Sequence, residues 1–119
     1  MFEIIQLIKD TNAKVGISIK PETKIEEIYE YLPYIHMVLI MTVEPGKGGQ
    51  TLIKEMKDKI SGLHKYILNN DLEVDIEADG GINLGTAESI KAAGTNILVA
   101  GTAILSAIDY SKIVEELKK

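Results

Sequence analysis

The chain has 119 residues, 45% of them hydrophobic, which is enough for one modest core. A formal net charge of -5 argues against a nucleic-acid surface. The absence of cysteine excludes disulfides and thiolate metal sites, and no apolar run is long enough to span a bilayer, so a soluble protein of the cytoplasm is expected.

Met1 to Asp10 carries charges throughout and lacks a basic leader region, so it reads as an amphipathic helix rather than a signal peptide. Phe2, Ile4, Ile5 and Ile8 lie broadly on one helical face, and Asn12 is a stop signal. Lys14 to Ile19 reads as a short strand. Thr23 and Glu26 form a capping-box pattern that opens a helix with Ile25, Ile28, Tyr29 and Leu32 on one face and a stop at Pro33. Met37 to Val43 is a continuous apolar strand, as expected for a sheet buried on both faces. Leu52, Ile53, Met56, Ile60, Leu63 and Ile67 mark a long helix ended by Asn69-Asn70. A strand over Glu73 to Ala78, a helix over Gly85 to Ala93 with Gly94 past its end, and a strand over Ile97 to Ala100 follow. Ile113, Val114 and Leu117 mark the last helix, and no linker or low-complexity tract interrupts the chain.

Helix and strand alternate strictly, which implies parallel strands joined by right-handed crossovers. A complete β/α barrel has eight strands and roughly 250 residues. This chain supplies about half of each, so two architectures are open: a small open α/β sheet, or half of a barrel.

The chemistry gathers at two strand ends. Val74 to Asn83 places an aspartate, Asp79, at the end of a strand, then Gly80-Gly81 and a helix. Asn96 to Ile104 repeats the arrangement with Gly101-Thr102. In β/α barrels the last two loops commonly hold a phosphate, and catalytic groups sit at the carboxyl ends of strands. A third loop, Glu44-Pro45-Gly46-Lys47-Gly48-Gly49-Gln50, exposes backbone that could close over a ligand; an ordinary turn with helix-starting glycines accounts for it equally well.

Three ordered motifs carry a specific resemblance: Met41-Thr42-Val43-Glu44-Pro45-Gly46-Lys47-Gly48-Gly49-Gln50, Ile76-Glu77-Ala78-Asp79-Gly80-Gly81-Ile82-Asn83, and Val99-Ala100-Gly101-Thr102-Ala103-Ile104. With Gly16 to Thr23 before them, they resemble the ribulose-phosphate 3-epimerase family over nearly the whole chain, but over only the carboxyl-terminal half of that family's domain. The resemblance implies half of a (β/α)8 TIM barrel, four parallel strands with flanking helices, as a single partial domain over residues 1–119. It also implies exchange of D-ribulose 5-phosphate and D-xylulose 5-phosphate by inversion at C3 through an enediolate. Inversion needs an acid/base on each face of that intermediate. Asp79 corresponds to one of the family's two aspartates, and the other has no counterpart here. A divalent metal, often zinc, is implied as a Lewis acid. Asp79 is the one family ligand that carries over.

The resemblance assigns substrate and phosphate contacts to Met41, Gly48, Gly49, Gly80, Gly81, Gly101 and Thr102, the glycines through backbone N–H groups. Plainer accounts stand beside these roles: an Asp before Gly-Gly caps turns, glycines permit tight turns, and Met41 is a buried strand residue. His36 and His64 match no family ligand. Lys47 stands where the family usually has a bulky apolar residue, and Thr102 where it often has serine. Ala13 stands near a common glycine. Two alternatives remain: an epimerase of a hexulose phosphate such as allulose 6-phosphate, and a non-catalytic phosphate-binding half-barrel. The expected partners are a sugar phosphate and either a second copy of the chain or a complementary amino-terminal half, since half a barrel leaves strand edges and an inner face uncovered.

Overall fold

The computed structural model describes residues 1–42, 55–100 and 108–118. In chain order these form α1 (Phe2–Lys9), β1 (Gly16–Ile19), a 3-10 helix (Ile25–Tyr34), β2 (Met37–Met41), α2 (Glu55–Asn69), β3 (Asp75–Asp79), α3 (Leu84–Ala93), β4 (Ile97–Val99) and α4 (Tyr110–Lys118). The four strands make one parallel sheet in the order β1-β2-β3-β4. This is the half-barrel arrangement: sequential parallel strands, each crossover carrying a helical element.

Alternate strand residues separate the two faces. Ile19, Val38, Ile40, Ile76 and Ala78 are buried and share one face by register. The helices close over that face with Ile28, Leu32, Met56, Ile60, Leu63, Ile67, Ala87 and Ile90. Met56, Ile60, Leu63 and Ile67 repeat at helical spacing, and each such side chain withdrawn from water is worth about 1.5–3 kcal/mol. The opposite face is open: Met37, Leu39 and Met41 are only half-buried and Ile97 is exposed. The apolar run of β2 was expected to be covered on both sides, yet only alternate residues are. An inner barrel face is covered by strands across the barrel, and four strands do not wrap around to supply them.

Three local expectations are corrected. Thr23 and Glu26 form no capping box: the residue before the helical turn is Lys24, in extended geometry and with no side-chain cap. The element is a 3-10 helix, and it runs through Pro33 instead of stopping there. Its three-residue period sets Ile25, Ile28, Tyr31 and Tyr34 along one edge. Tyr31 and Tyr34 there pack edge-on to Phe2, at 4.9 and 5.5 Å between ring centroids. On α1 only Ile5 is buried, while Phe2, Ile4 and Leu7 remain exposed, so the apolar face read from the sequence is wider than the face the core uses. Leu52 and Ile53 lie outside the described residues.

Candidate active site

Parallel strands bring their carboxyl ends to one rim. Met41 pairs in register with Asp79, and Asp79 with Val99, so these three residues form a row across the sheet on its open face. One step down lie Ser18, Leu39, Glu77 and Ile97, and below them Gly16, Met37 and Asp75. Glu77 therefore shares the face of Asp79, a point the sequence left open. Asp75, Glu77 and Asp79 stand in line along β3, about 6.6 Å apart by strand geometry.

Beyond Asp79 the backbone turns sharply. Gly80 has φ 123 and Gly81 φ 69, both in the region that a Cβ disfavours. Two threonines hold the turn. Thr42, fully buried just past β2, donates its backbone N–H to the Asp79 carbonyl at 2.9 Å. Its hydroxyl oxygen lies within hydrogen-bond distance of the carbonyls of Asp79, at 3.1 Å, and Gly80, and has one proton to donate between them. Thr86 donates its hydroxyl to the Gly81 carbonyl at 2.7 Å and accepts from the Asn83 N–H at 3.0 Å. Asn83 caps α3, its side-chain oxygen accepting from the N–H groups of Gly85 (2.8 Å) and Thr86 (3.1 Å). Among the described residues, neither the Gly81 nor the Ile82 N–H donates a hydrogen bond. Sequence reading passed over Thr42 and Thr86. The Asn83-x-x-Thr86 spacing is a capping signal that could have found the second; nothing local marks the first, because its partners lie on another strand.

The expected divalent metal is corrected. Among the described residues no three His, Asp or Glu side chains gather into a metal-binding group. The carboxylates of β3 are spread along the strand, and both histidines are engaged elsewhere. His36 sits at the amino ends of the strands, where its Nδ1 accepts the Val15 N–H at 3.2 Å. His64 on α2 packs against Gly94. Asp79 thus has no companion ligand among the described residues. Gly48, Gly49, Gly101 and Thr102, like Lys47, lie outside the described residues. Of the expected contacts, the structure brings together Met41, Asp79, Gly80 and Gly81.

Comparison with known proteins agrees with this architecture. The family model described as the ribulose-phosphate 3 epimerase family matches residues 1–105. Ribulose-phosphate 3-epimerase from Eremothecium gossypii is 35% identical over 116 residues, covering 98% of this chain and 47% of that protein. The Mycobacterium leprae enzyme is 39% identical over 112 residues, covering 94% and 50%. The rice protein named as the cytoplasmic isoform is 37% identical over 120 residues, covering 98% and 51%. The chain therefore spans about half the length of these curated relatives. A solved 3-hexulose-6-phosphate synthase shares the fold, with TM-score 0.60 and 22% identity over 97% of this chain and 53% of that one. No helix among the described residues is long and apolar enough to cross a membrane.

Proposed function

The chain belongs to the ribulose-phosphate 3-epimerase family, and from that premise we propose that it forms the carboxyl-terminal half of a pentulose-phosphate 3-epimerase site. The observation that carries this reading is the rim row Met41–Asp79–Val99 followed by the Gly80-Gly81 turn into α3. The Asp79 carboxylate takes the proton from C3 of a 2-keto sugar phosphate, or returns it, on one face of the sugar. The adjacent carbonyl makes that proton acidic, because the electron pair left behind delocalises into an enediolate. Met41 offers an apolar wall beside the reacting carbons. The Gly81 and Ile82 N–H groups bind the phosphate at the start of α3, where the helix dipole favours an anion. Inversion requires a second acid/base on the opposite face, and residues outside this chain supply it. The working compartment is the cytoplasm, as the name of the rice relative suggests.

The test is a fusion of this chain to the amino-terminal half of the Mycobacterium leprae relative. The fusion is expected to exchange the C3 proton of ribulose 5-phosphate with deuterated solvent. Asp79→Asn should lower conversion of ribulose 5-phosphate to its C3 epimer by about a thousandfold, the scale of a lost general base, because inversion needs both acid/base groups. Epimerisation at the parent rate in the variant would remove Asp79 from the chemistry.

A further inference from the structure

We propose that Thr42 is a positioning residue: its buried hydroxyl fixes the Gly80–Gly81 peptide plane and thereby aims the Gly81 N–H at the anion. The anion's presence rests on the function proposed above; the orientation of the plane does not.

A trans peptide unit is rigid and planar, and its C=O and N–H point in opposite directions. The chain has no cis peptide among its described residues. Whatever holds the Gly80 carbonyl therefore sets the direction of the Gly81 N–H. Glycine alone cannot hold it. Gly80 at φ 123 and Gly81 at φ 69 occupy conformations that glycine enters readily and leaves as readily. The Asp79 carbonyl already accepts the Thr42 backbone N–H at 2.9 Å, so the single hydroxyl hydrogen of Thr42 can serve Gly80. Thr42 is itself enclosed, with no exposed surface and a place directly after β2. The next peptide plane is held in the same manner. Thr86 donates to the Gly81 carbonyl at 2.7 Å, which turns the Ile82 N–H the opposite way. Two successive N–H groups are thus oriented by hydroxyls reaching in from either side. One is anchored just past the end of the neighbouring strand and the other in the first turn of α3. Neither hydroxyl needs to touch the ligand. A preset amide costs no reorganisation when an anion arrives, which is the advantage of a preorganised donor.

The test uses the 119-residue chain and inorganic phosphate. Thr42→Val removes the hydroxyl at nearly constant shape, and Thr42→Ser keeps it; Thr42→Ala is a second hydroxyl-free variant should the valine chain not fold. Residual dipolar couplings without phosphate report the Gly81 N–H direction. They are expected to change in the Val or Ala variant and to stay as in the parent in the Ser variant. Phosphate titration followed at the Gly81 amide should then show about tenfold weaker binding without the hydroxyl, with affinity restored by serine. A parent-like coupling in the hydroxyl-free variants, or a changed coupling in the Ser variant, would overturn the proposal. So would parent-like phosphate affinity without the hydroxyl. If the couplings change as expected while the parent itself binds no phosphate, the positioning role stands and the phosphate site proposed above is what fails.

Discussion

Gly94 closes α3 with φ +128, and its Cα faces His64 so closely that an added Cβ would stand 2.4 Å from the imidazole Cγ. Both backbone strain and overlap act on any side chain there, since His64 is held on α2. Gly94→Ala should therefore lose about 3 kcal/mol of stability, read as a lowered urea midpoint with an unchanged slope. The following residue gives the opposite sign. Thr95 is buried, and its hydroxyl has no hydrogen-bond partner among the described residues. Replacing it with the near-isosteric valine removes an unpaid desolvation. Thr95→Val is expected to raise stability by about 1 kcal/mol, and a loss in thermal unfolding would show that the hydroxyl has a partner after all. Gly94 was legible in the sequence as a helix terminator. The collision with His64 was not, because thirty positions of chain separate the two.

Among the elements, α2 and the segment after β1 are joined by one side chain. Lys59 donates from its ammonium to the Pro21 carbonyl at 2.7 Å and also to the Thr23 carbonyl. Burial pushes its pKa below the ordinary 10.5, against the opposing pull of Glu22, Glu26 and Glu27. The folded state thus binds fewer protons here than the unfolded chain does. This group's contribution to stability rises with pH from the lowered pKa up to 10.5. Lys59→Met keeps the apolar stem and removes the donors. Faster amide exchange at the backbone of Thr23, whose N–H bonds the Lys20 carbonyl, is the expected result. Equal exchange in both chains would deny the link. Capping shows why element ends were only partly legible. The Thr23/Glu26 pattern fits the rule for a cap but lies before a 3-10 turn with no side-chain cap, whereas Asn83 does cap α3. Asn83→Ala should cost about 1 kcal/mol, measured by chemical denaturation.

At the scale of the molecule, the open sheet face decides behaviour. Half-buried Met37, Leu39 and Met41 and exposed Ile97 favour covering that face, while Asp75, Glu77 and Asp79 line it with charge of one sign. A second copy brings the same three carboxylates. Self-association is therefore expected to be weak at low salt and to strengthen as salt screens the repulsion, seen as a rising mass in light scattering. A mass independent of salt would show that copies do not meet through this face. Whatever its oligomeric state, the 119-residue chain alone is expected to show no epimerase turnover in a coupled assay, because its copies supply Asp79 without the second acid/base; measurable turnover would contradict that.

The family, the alternation of helix and strand, and the placing of Asp79 at a strand end before two glycines were all determined by the sequence itself. Each rests on local order, and local order is what backbone sterics and periodic burial read. Only the tertiary structure decided that β2 is covered on one side, that Glu77 shares the face of Asp79, and that Thr42 grips the Gly80 carbonyl across the sheet. It also decided that the His36 Nδ1 accepts the Val15 N–H and that His64 packs against Gly94, with no companion ligand for Asp79 among the described residues. These facts depend on pairing between segments tens of residues apart. Register between strands, not spacing along one, determines which side chains meet.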